Sequence, residues 1–123
     1  MAKSEIKKDI FWVGINGPLS NIVFAFLLSL PLRLLPLPSV LIFIFSQLIL
    51  INLVLGVFNL VPVPPLDGSR VLASLLPEHL SRQYLLVEPY GFIIMLALLW
   101  TGFFGYFIGP VVDYFLKLFG LGL

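Results

Sequence analysis

The chain has 123 residues, of which 60% are apolar and 11% are charged, and its net charge is +1. Soluble domains carry about 25% charged residues, so this chain is too apolar to cover its own surface with polar groups in water. The small net charge gives no basis for nucleic-acid binding, and the absence of cysteine excludes disulfides and thiolate metal sites. The composition therefore predicts an all-α integral membrane protein, with lipid as its surroundings.

Three apolar stretches are long enough to be membrane-spanning helices, because about 20 residues cross the hydrocarbon core. The first runs from about residue 10 to 30, and the second, which carries no charge, from about 40 to 60. The third runs from about 90 to 108. Gly109-Pro110 is predicted to end this third helix, since proline lacks the amide that a helix interior needs. A short interfacial helix is then predicted at 111–119.

The second span is followed by a proline-rich loop at 61–68. Three prolines within four positions cannot continue a helix, so this segment is predicted to be extended. Irregular backbone beside a span is tolerated only where protein or water satisfies its polar groups. Residues 69–76 are predicted to form a short helix after the loop. The whole chain, 1–123, is thus predicted to be a single membrane domain with about three spans, this loop and short interfacial helices.

Basic residues are distributed unequally between the two sides of such a bundle. One side holds Arg33 and Lys117, whereas the N-terminus and the loop after the second span hold the other five. These five are Lys3, Lys7, Lys8, Arg70 and Arg82. The positive-inside rule therefore predicts that the N-terminus and the Asp67 loop face the cytoplasm, in the cell membrane.

Asp67 and Asn59 are the polar residues that most need an explanation. Asp67 suits the N-cap of the short helix, where a carboxylate accepts a hydrogen bond from the first amides. It also suits a functional carboxylate, since ionisable groups near membrane depth usually face a cavity, a metal or a partner. Asn59 fits either an interhelical hydrogen bond or helix C-cap, or an amide aimed at a substrate. His79, the only histidine, is predicted to be solvated or interfacial.

Two motifs occur in order along the first and second spans. They read GPLSN at 17–21 and NLVPVPPLDG at 59–68. They resemble the GPLxN motif and the NxxPxxPLDG signature of the site-2 protease family of intramembrane zinc metalloproteases. The resemblance covers nearly the whole chain, because 91–102 is also similar to the closing helix of short bacterial members.

This resemblance implies a role for each motif residue. Asp67 would be the third zinc ligand, and Asn59 would orient the substrate or polarise its carbonyl group. The residues that would line the binding site for an extended substrate segment are Pro62, Pro64, Pro65 and Leu66. The structural residues of the two motifs are Gly17, Pro18, Asn21 and Gly68.

The family also uses an HExxH motif, which supplies two histidine ligands and a general-base glutamate. A chain with one histidine cannot contain HExxH, and one carboxylate falls short of the three protein ligands of a catalytic zinc. The chain is therefore interpreted as the C-terminal half of a site-2-type metalloendopeptidase that cleaves a transmembrane protein substrate. Zinc would bind only with ligands from a missing HExxH segment or from a separate HExxH-bearing chain.

Taken alone, the chain is predicted to be inactive. One alternative is a non-catalytic, membrane-embedded binding module derived from such a protease, which would hold a transmembrane partner at the proline loop. Another is a small structural or transport bundle in which Asp67 serves only as a helix cap.

Overall fold

The computed structural model describes residues 2–63 and 66–121. This part of the chain is helical and contains no β-strand. Its helices, in chain order, are α1 (Ala2–Leu34), α2 (Ser39–Asn59), α3 (Asp67–Leu75), α4 (Glu78–Leu85), α5 (Gly91–Thr101) and α6 (Phe103–Leu118). A single 3₁₀ turn, Glu88–Tyr90, joins α4 to α5.

Three helical segments are long and apolar enough to cross a membrane. They are Glu5–Leu34, Ser39–Asn59 and Glu78–Thr101, the last made of α4, the 3₁₀ turn and α5. Most of their large apolar side chains are exposed on the isolated chain, as on Phe43 and Trp100. The predicted fold class, an all-α membrane protein with three spans, is confirmed.

The third span lies earlier in the chain than 90–108. Gly102 ends α5 in the left-handed conformation, with φ of 76°, which glycine adopts without the steric cost of a β carbon. The third span therefore ends at Thr101, and a new helix begins at Phe103. Hydrophobicity alone does not mark this break, because apolar residues predominate on both sides of Gly102.

Proline does not end helices in the way that the sequence suggested. Pro110 lies inside α6, as Pro18 and Pro31 lie inside α1. The predicted helix end at Gly109-Pro110 and the separate helix at 111–119 are therefore wrong. Membrane helices tolerate proline because neighbouring groups and local adjustment satisfy the freed carbonyl.

The apolar core lies between α1, α2 and α6. Two aromatic contacts join these helices, with ring centroids 4.8 Å apart for Phe58 and Phe104 and 5.3 Å apart for Phe26 and Phe119. The buried core residues of the three helices are Ala25, Ile49, Leu53, Val57, Phe104, Ile108 and Val112. This packing fixes α2, whose C-terminal end leads into the proline loop.

Two glycines allow close approach of the helices that carry the motifs. A β carbon added at Gly56 of α2 would lie 3.0 Å from the carbonyl oxygen of Pro18 in α1. A β carbon added at Gly14 of α1 would lie 3.1 Å from the backbone oxygen of Asp67 in α3. Helix α1 therefore packs against α2 on one side and against α3 on another, within one turn of the GPLSN segment.

Candidate functional site

The carboxylate of Asp67 faces Gly17, so the two sequence motifs meet in space. A β carbon added at Gly17 would lie 2.8 Å from Oδ2 of Asp67 and 3.9 Å from its Cγ. Asp67 is half-buried and is the first residue of α3. The first turn of a helix is a favourable position for an acidic side chain, because the positive end of the helix dipole lies there.

Asp67 is not a capping residue. The N-cap of α3 is Leu66, and no side chain makes a capping hydrogen bond there. The side chain of Asp67 forms no hydrogen bond or ion pair within residues 2–63 and 66–121. The cap interpretation is therefore wrong, and the half-buried carboxylate is available to another group.

The chain folds back on itself between Asn59 and Asp67. A β carbon added at Gly68 would lie 2.1 Å from the carbonyl oxygen of Leu60 and 2.5 Å from that of Val61. Only a residue without a side chain fits against these two carbonyl groups. The backbones of Leu60 and Gly68 are therefore in contact. Asn59 directly precedes Leu60, and Asp67 directly precedes Gly68, so both polar residues adjoin this contact.

Asn59 ends α2 with its side chain folded against its own helix. Its Nδ2 donates a hydrogen bond to the carbonyl oxygen of Leu55 over 3.0 Å. The side chain is half-buried, and this bond uses one of the two amide hydrogens. The second hydrogen and Oδ1 have no partner among the described residues.

The described part of the proline loop is held from outside by Tyr84 of α4. The hydroxyl of Tyr84 donates a hydrogen bond to the carbonyl oxygen of Pro62, whose side chain is exposed. Leu66 is buried in the core at 8% exposure, so its side chain is not presented to a substrate. Pro64 and Pro65 lie outside the described residues.

The other GPLSN residues pack α1 against α2. Pro18 is buried, and its carbonyl lies at Gly56. Asn21 is half-buried, and its Cβ would lie 3.3 Å from a β carbon at the same glycine. Gly17 is the member of this motif that borders Asp67.

The described residues do not form a zinc site by themselves. No group of three or more His, Cys, Asp or Glu side chains lies close enough to hold a metal in this part of the chain. His79 is exposed on α4. Asp67 fits zinc as a single oxygen ligand, whereas a catalytic site needs three protein ligands.

Comparison with known proteins gives the same assignment as the motifs. The family model described as peptidase family M50 matches residues 37–102, more than half of the chain. The chain is also 37% identical over 120 residues to the "Putative zinc metalloprotease YwhC" of Bacillus subtilis (strain 168). This chain belongs to peptidase family M50.

The match to the M50 relative covers 87% of this chain and 55% of YwhC. The chain therefore spans about half the length of this curated relative. No solved structure gives a significant match. The predicted site-2 protease resemblance is confirmed at the level of the family, and the family together with the apolar helices indicates a membrane protein.

Three residues make contacts near the candidate site that the sequence did not predict. Tyr84 holds the loop at Pro62, Gly56 lets α2 approach Pro18, and Nζ of Lys7 donates a 2.8 Å hydrogen bond to the carbonyl oxygen of Leu76. Lys7 thus satisfies a carbonyl at the C-terminal end of α3, where a positive charge is favourable. Each contact joins distant positions, which is why no local pattern revealed it.

Proposed function

We propose that this chain supplies a zinc ligand and the substrate-binding surface of an intramembrane metalloprotease that hydrolyses peptide bonds in transmembrane segments. The observation that carries the proposal is the position of the Asp67 carboxylate against Gly17, between the two family motifs. Asp67 would be one ligand of the zinc ion, and an HExxH segment would supply the other two protein ligands and the general base.

The absence of a side chain at Gly17 supports a metal site at Asp67. The 2.8 Å separation leaves no space for a methyl group beside the carboxylate, so only glycine keeps Oδ2 uncovered on that side. Asp67 also makes no hydrogen bond or ion pair within residues 2–63 and 66–121, so its oxygens are available to a metal ion. Zinc in such a site would act as a Lewis acid and activate water for hydrolysis.

Asn59 and the loop would hold the substrate. The unused amide hydrogen of Asn59 is a donor for the carbonyl group of a substrate peptide bond. Residues 61–63 and Leu66 of the loop are not helical. The carbonyl groups of Leu60 and Val61 are directed at Gly68. An unwound substrate segment would lie along the exposed side of Pro62, where Tyr84 keeps the loop in position.

The orientation in the membrane belongs to the same proposal. The N-terminal end of α1 and the helices α3 and α4 carry Lys7, Lys8, Arg70 and Arg82. The positive-inside rule favours the cytoplasm for this end of the molecule. Peptide bonds near the cytoplasmic boundary of a substrate helix would then be the ones cleaved.

The test is zinc content and cleavage in a reconstituted complex. The full chain is co-expressed with an HExxH-bearing segment of the same family, purified in detergent and examined by elemental analysis. We expect about one zinc per complex, and cleavage of a transmembrane substrate at that zinc occupancy. Asp67→Asn should lower zinc content at least tenfold, because the neutral amide is a much weaker ligand than a carboxylate.

Asp113→Asn is the matched control, because Asp113 is exposed on α6. It should leave zinc content and cleavage at the wild-type level. Equal zinc content in the wild type and the Asp67→Asn variant would contradict the proposal. A wild-type complex that binds the substrate helix without cleaving it would favour the non-catalytic binding module instead.

A further inference from the structure

A cavity lies between the N-terminal part of α1 and the helices α3 and α4. Its volume is about 430 Å³, within the usual range for small-molecule sites. None of its lining residues belongs to the two family motifs at 17–21 and 59–68. The apolar lining residues are Ile6, Ile10, Val13, Ala73 and Leu85, and the polar ones are Lys7, Asp9, Arg70, Ser74 and Ser81.

The polar part of this cavity carries more positive than negative charge. Lys7 and Arg70 are its cations, and Asp9 is its one acidic residue. Lys8 lines an adjoining cavity that shares Lys7 and Ser74. Arg70 is exposed and makes no ion pair within the described ranges 2–63 and 66–121. The cavity therefore offers a guanidinium that is free to bind an anion.

The depth of the cavity places it at the level of lipid headgroups. The part of α1 from Lys7 to Leu34 is about 40 Å long at 1.5 Å rise per residue. This length exceeds the thickness of the hydrocarbon core, which is about 30 Å. With Leu34 near one boundary of the core, Lys7 and Asp9 lie beyond the other boundary. Ile10 and Val13 follow on α1 and lead from that level towards the apolar region.

We infer that this cavity binds an anionic phospholipid. Lys7, Arg70 and the hydroxyl of Ser81 would contact the phosphate and headgroup, while Ile10, Val13 and Leu85 would contact the start of the acyl chains. Basic cavities between membrane helices recognise anionic headgroups in this way. A free phosphate ion would use only the cations and would leave the apolar wall uncovered.

Lipid binding here would connect α4 to α1, two helices that have few direct contacts with each other. Lys7 already connects α1 to the end of α3 through the carbonyl of Leu76. A phosphate held by Lys7 and Arg70, with Ser81 of α4 beside it, would connect α1, α3 and α4. Since α4 holds the loop through Tyr84, the lipid would stabilise the element that fixes the proline loop.

The test is native mass spectrometry of the purified full chain in a neutral detergent. Phosphatidylglycerol and phosphatidylcholine with identical acyl chains are titrated separately. We expect phosphatidylglycerol to bind about tenfold more tightly. Arg70→Gln should weaken its binding about five-fold, and Asp9→Asn should tighten it, because that change removes a negative charge from the cavity.

Two further variants distinguish lipid binding in this cavity from a nonspecific effect of losing a basic residue or of losing the fold. Lys117→Gln removes an exposed basic residue near the end of α6, and phosphatidylglycerol binding should not change. Val13→Trp fills the open apolar side of the cavity, since Val13 is 56% exposed, and binding should weaken while the far-UV circular dichroism spectrum stays the same.

Equal affinity for the two lipids would overturn the inference, and so would equal effects of Arg70→Gln and Lys117→Gln. Displacement of phosphatidylglycerol by an equimolar amount of glycerol 3-phosphate would show a free-anion site and would also overturn it. Retention of the lipid against glycerol 3-phosphate, together with loss in Val13→Trp, is the result that supports it.

Discussion

Oδ2 of Asp67 lies 2.8 Å from the position that a β carbon would occupy at Gly17. Gly17 belongs to a transmembrane helix, and Asp67 to a short helix that follows the proline loop 50 positions later in the chain. This contact between α1 and α3 joins the two motifs, and it determines which side of the carboxylate stays open.

Gly17→Ala should displace the Asp67 carboxylate without destabilising the chain. Alanine is favoured over glycine in a helix by about 1 kcal/mol, and Gly17 is exposed, so thermal unfolding should occur at the same temperature or higher. The zinc affinity of the complex with an HExxH segment should fall about 10- to 100-fold, as for changes that misplace a ligand. Competition with a zinc chelator measures this affinity.

Gly109→Ala is the control for the Gly17 prediction. Gly109 is also helical, and a β carbon there would meet nothing within 4 Å. It should leave the zinc affinity unchanged. If the two alanine variants have the same zinc affinity, the contact between Gly17 and Asp67 has no role in metal binding.

Gly68→Ala should destabilise the fold, because its β carbon would overlap the backbone of Leu60 at 2.1 Å from the carbonyl oxygen. Backbone atoms cannot rotate away as a side chain can, so the loop must shift. We expect a loss of at least about 1–3 kcal/mol in the free energy of unfolding, the usual cost of overpacking. Denaturation in mixed micelles, followed by far-UV circular dichroism, measures it.

Gly105→Ala provides the comparison for Gly68. This glycine of α6 has open space around its Cβ position, so the substitution should be neutral or mildly stabilising. Equal stability of the two variants would contradict the tight contact between Gly68 and Leu60.

Tyr84→Phe should loosen the proline loop by removing the hydrogen bond to the carbonyl of Pro62. One such bond contributes about 1 kcal/mol, so amide exchange at Val63 should become about five-fold faster. Hydrogen–deuterium exchange with mass spectrometry measures this rate. Tyr106→Phe is the control, since Tyr106 is 87% exposed; equal exchange at Val63 in both variants would argue against an anchoring role.

The membrane class and the first two spans could be predicted from sequence because they depend on composition and on length. Helix α2, Ser39–Asn59, nearly coincides with the predicted 40–60. Helix α1 extends well beyond 10–30 at both ends, because its first residues are helical although polar, and Pro31 does not end it. Local hydropathy indicates which residues lie in lipid, but it does not indicate where the helix begins and ends.

The break between α5 and α6 could not be predicted in the same way. Both Gly102 and Gly109 lie in an apolar run, and only Gly102 adopts the left-handed conformation. The sequence predicts a helix end at Pro110 because the missing amide of proline is a strong local signal. Helix α6, which begins after Gly102, packs against α2, and a local pattern does not contain such a contact between distant residues.

The residues of the candidate site that belong to the two motifs could be predicted from the sequence. The motifs named Asp67, Asn59 and Gly17, and the structure brings Asp67 to Gly17. They also named Leu66 as a substrate contact, whereas this residue is buried in the core. Tyr84 and Lys7 form hydrogen bonds with residues that are distant in the sequence, so only the three-dimensional structure reveals these contacts.

The central claim is that the Asp67 carboxylate binds zinc together with ligands from an HExxH segment. The most direct test is zinc X-ray absorption of the Asp67→Cys variant in complex with a cysteine-free HExxH segment, since this chain contains no cysteine. A thiolate ligand lies about 2.3 Å from zinc, beyond the 2.0–2.2 Å of nitrogen and oxygen ligands.

We expect a sulfur shell at about 2.3 Å in the Asp67→Cys complex and none in the Asp113→Cys complex. Zinc bound in both complexes with only nitrogen and oxygen neighbours would contradict the claim that position 67 holds the metal.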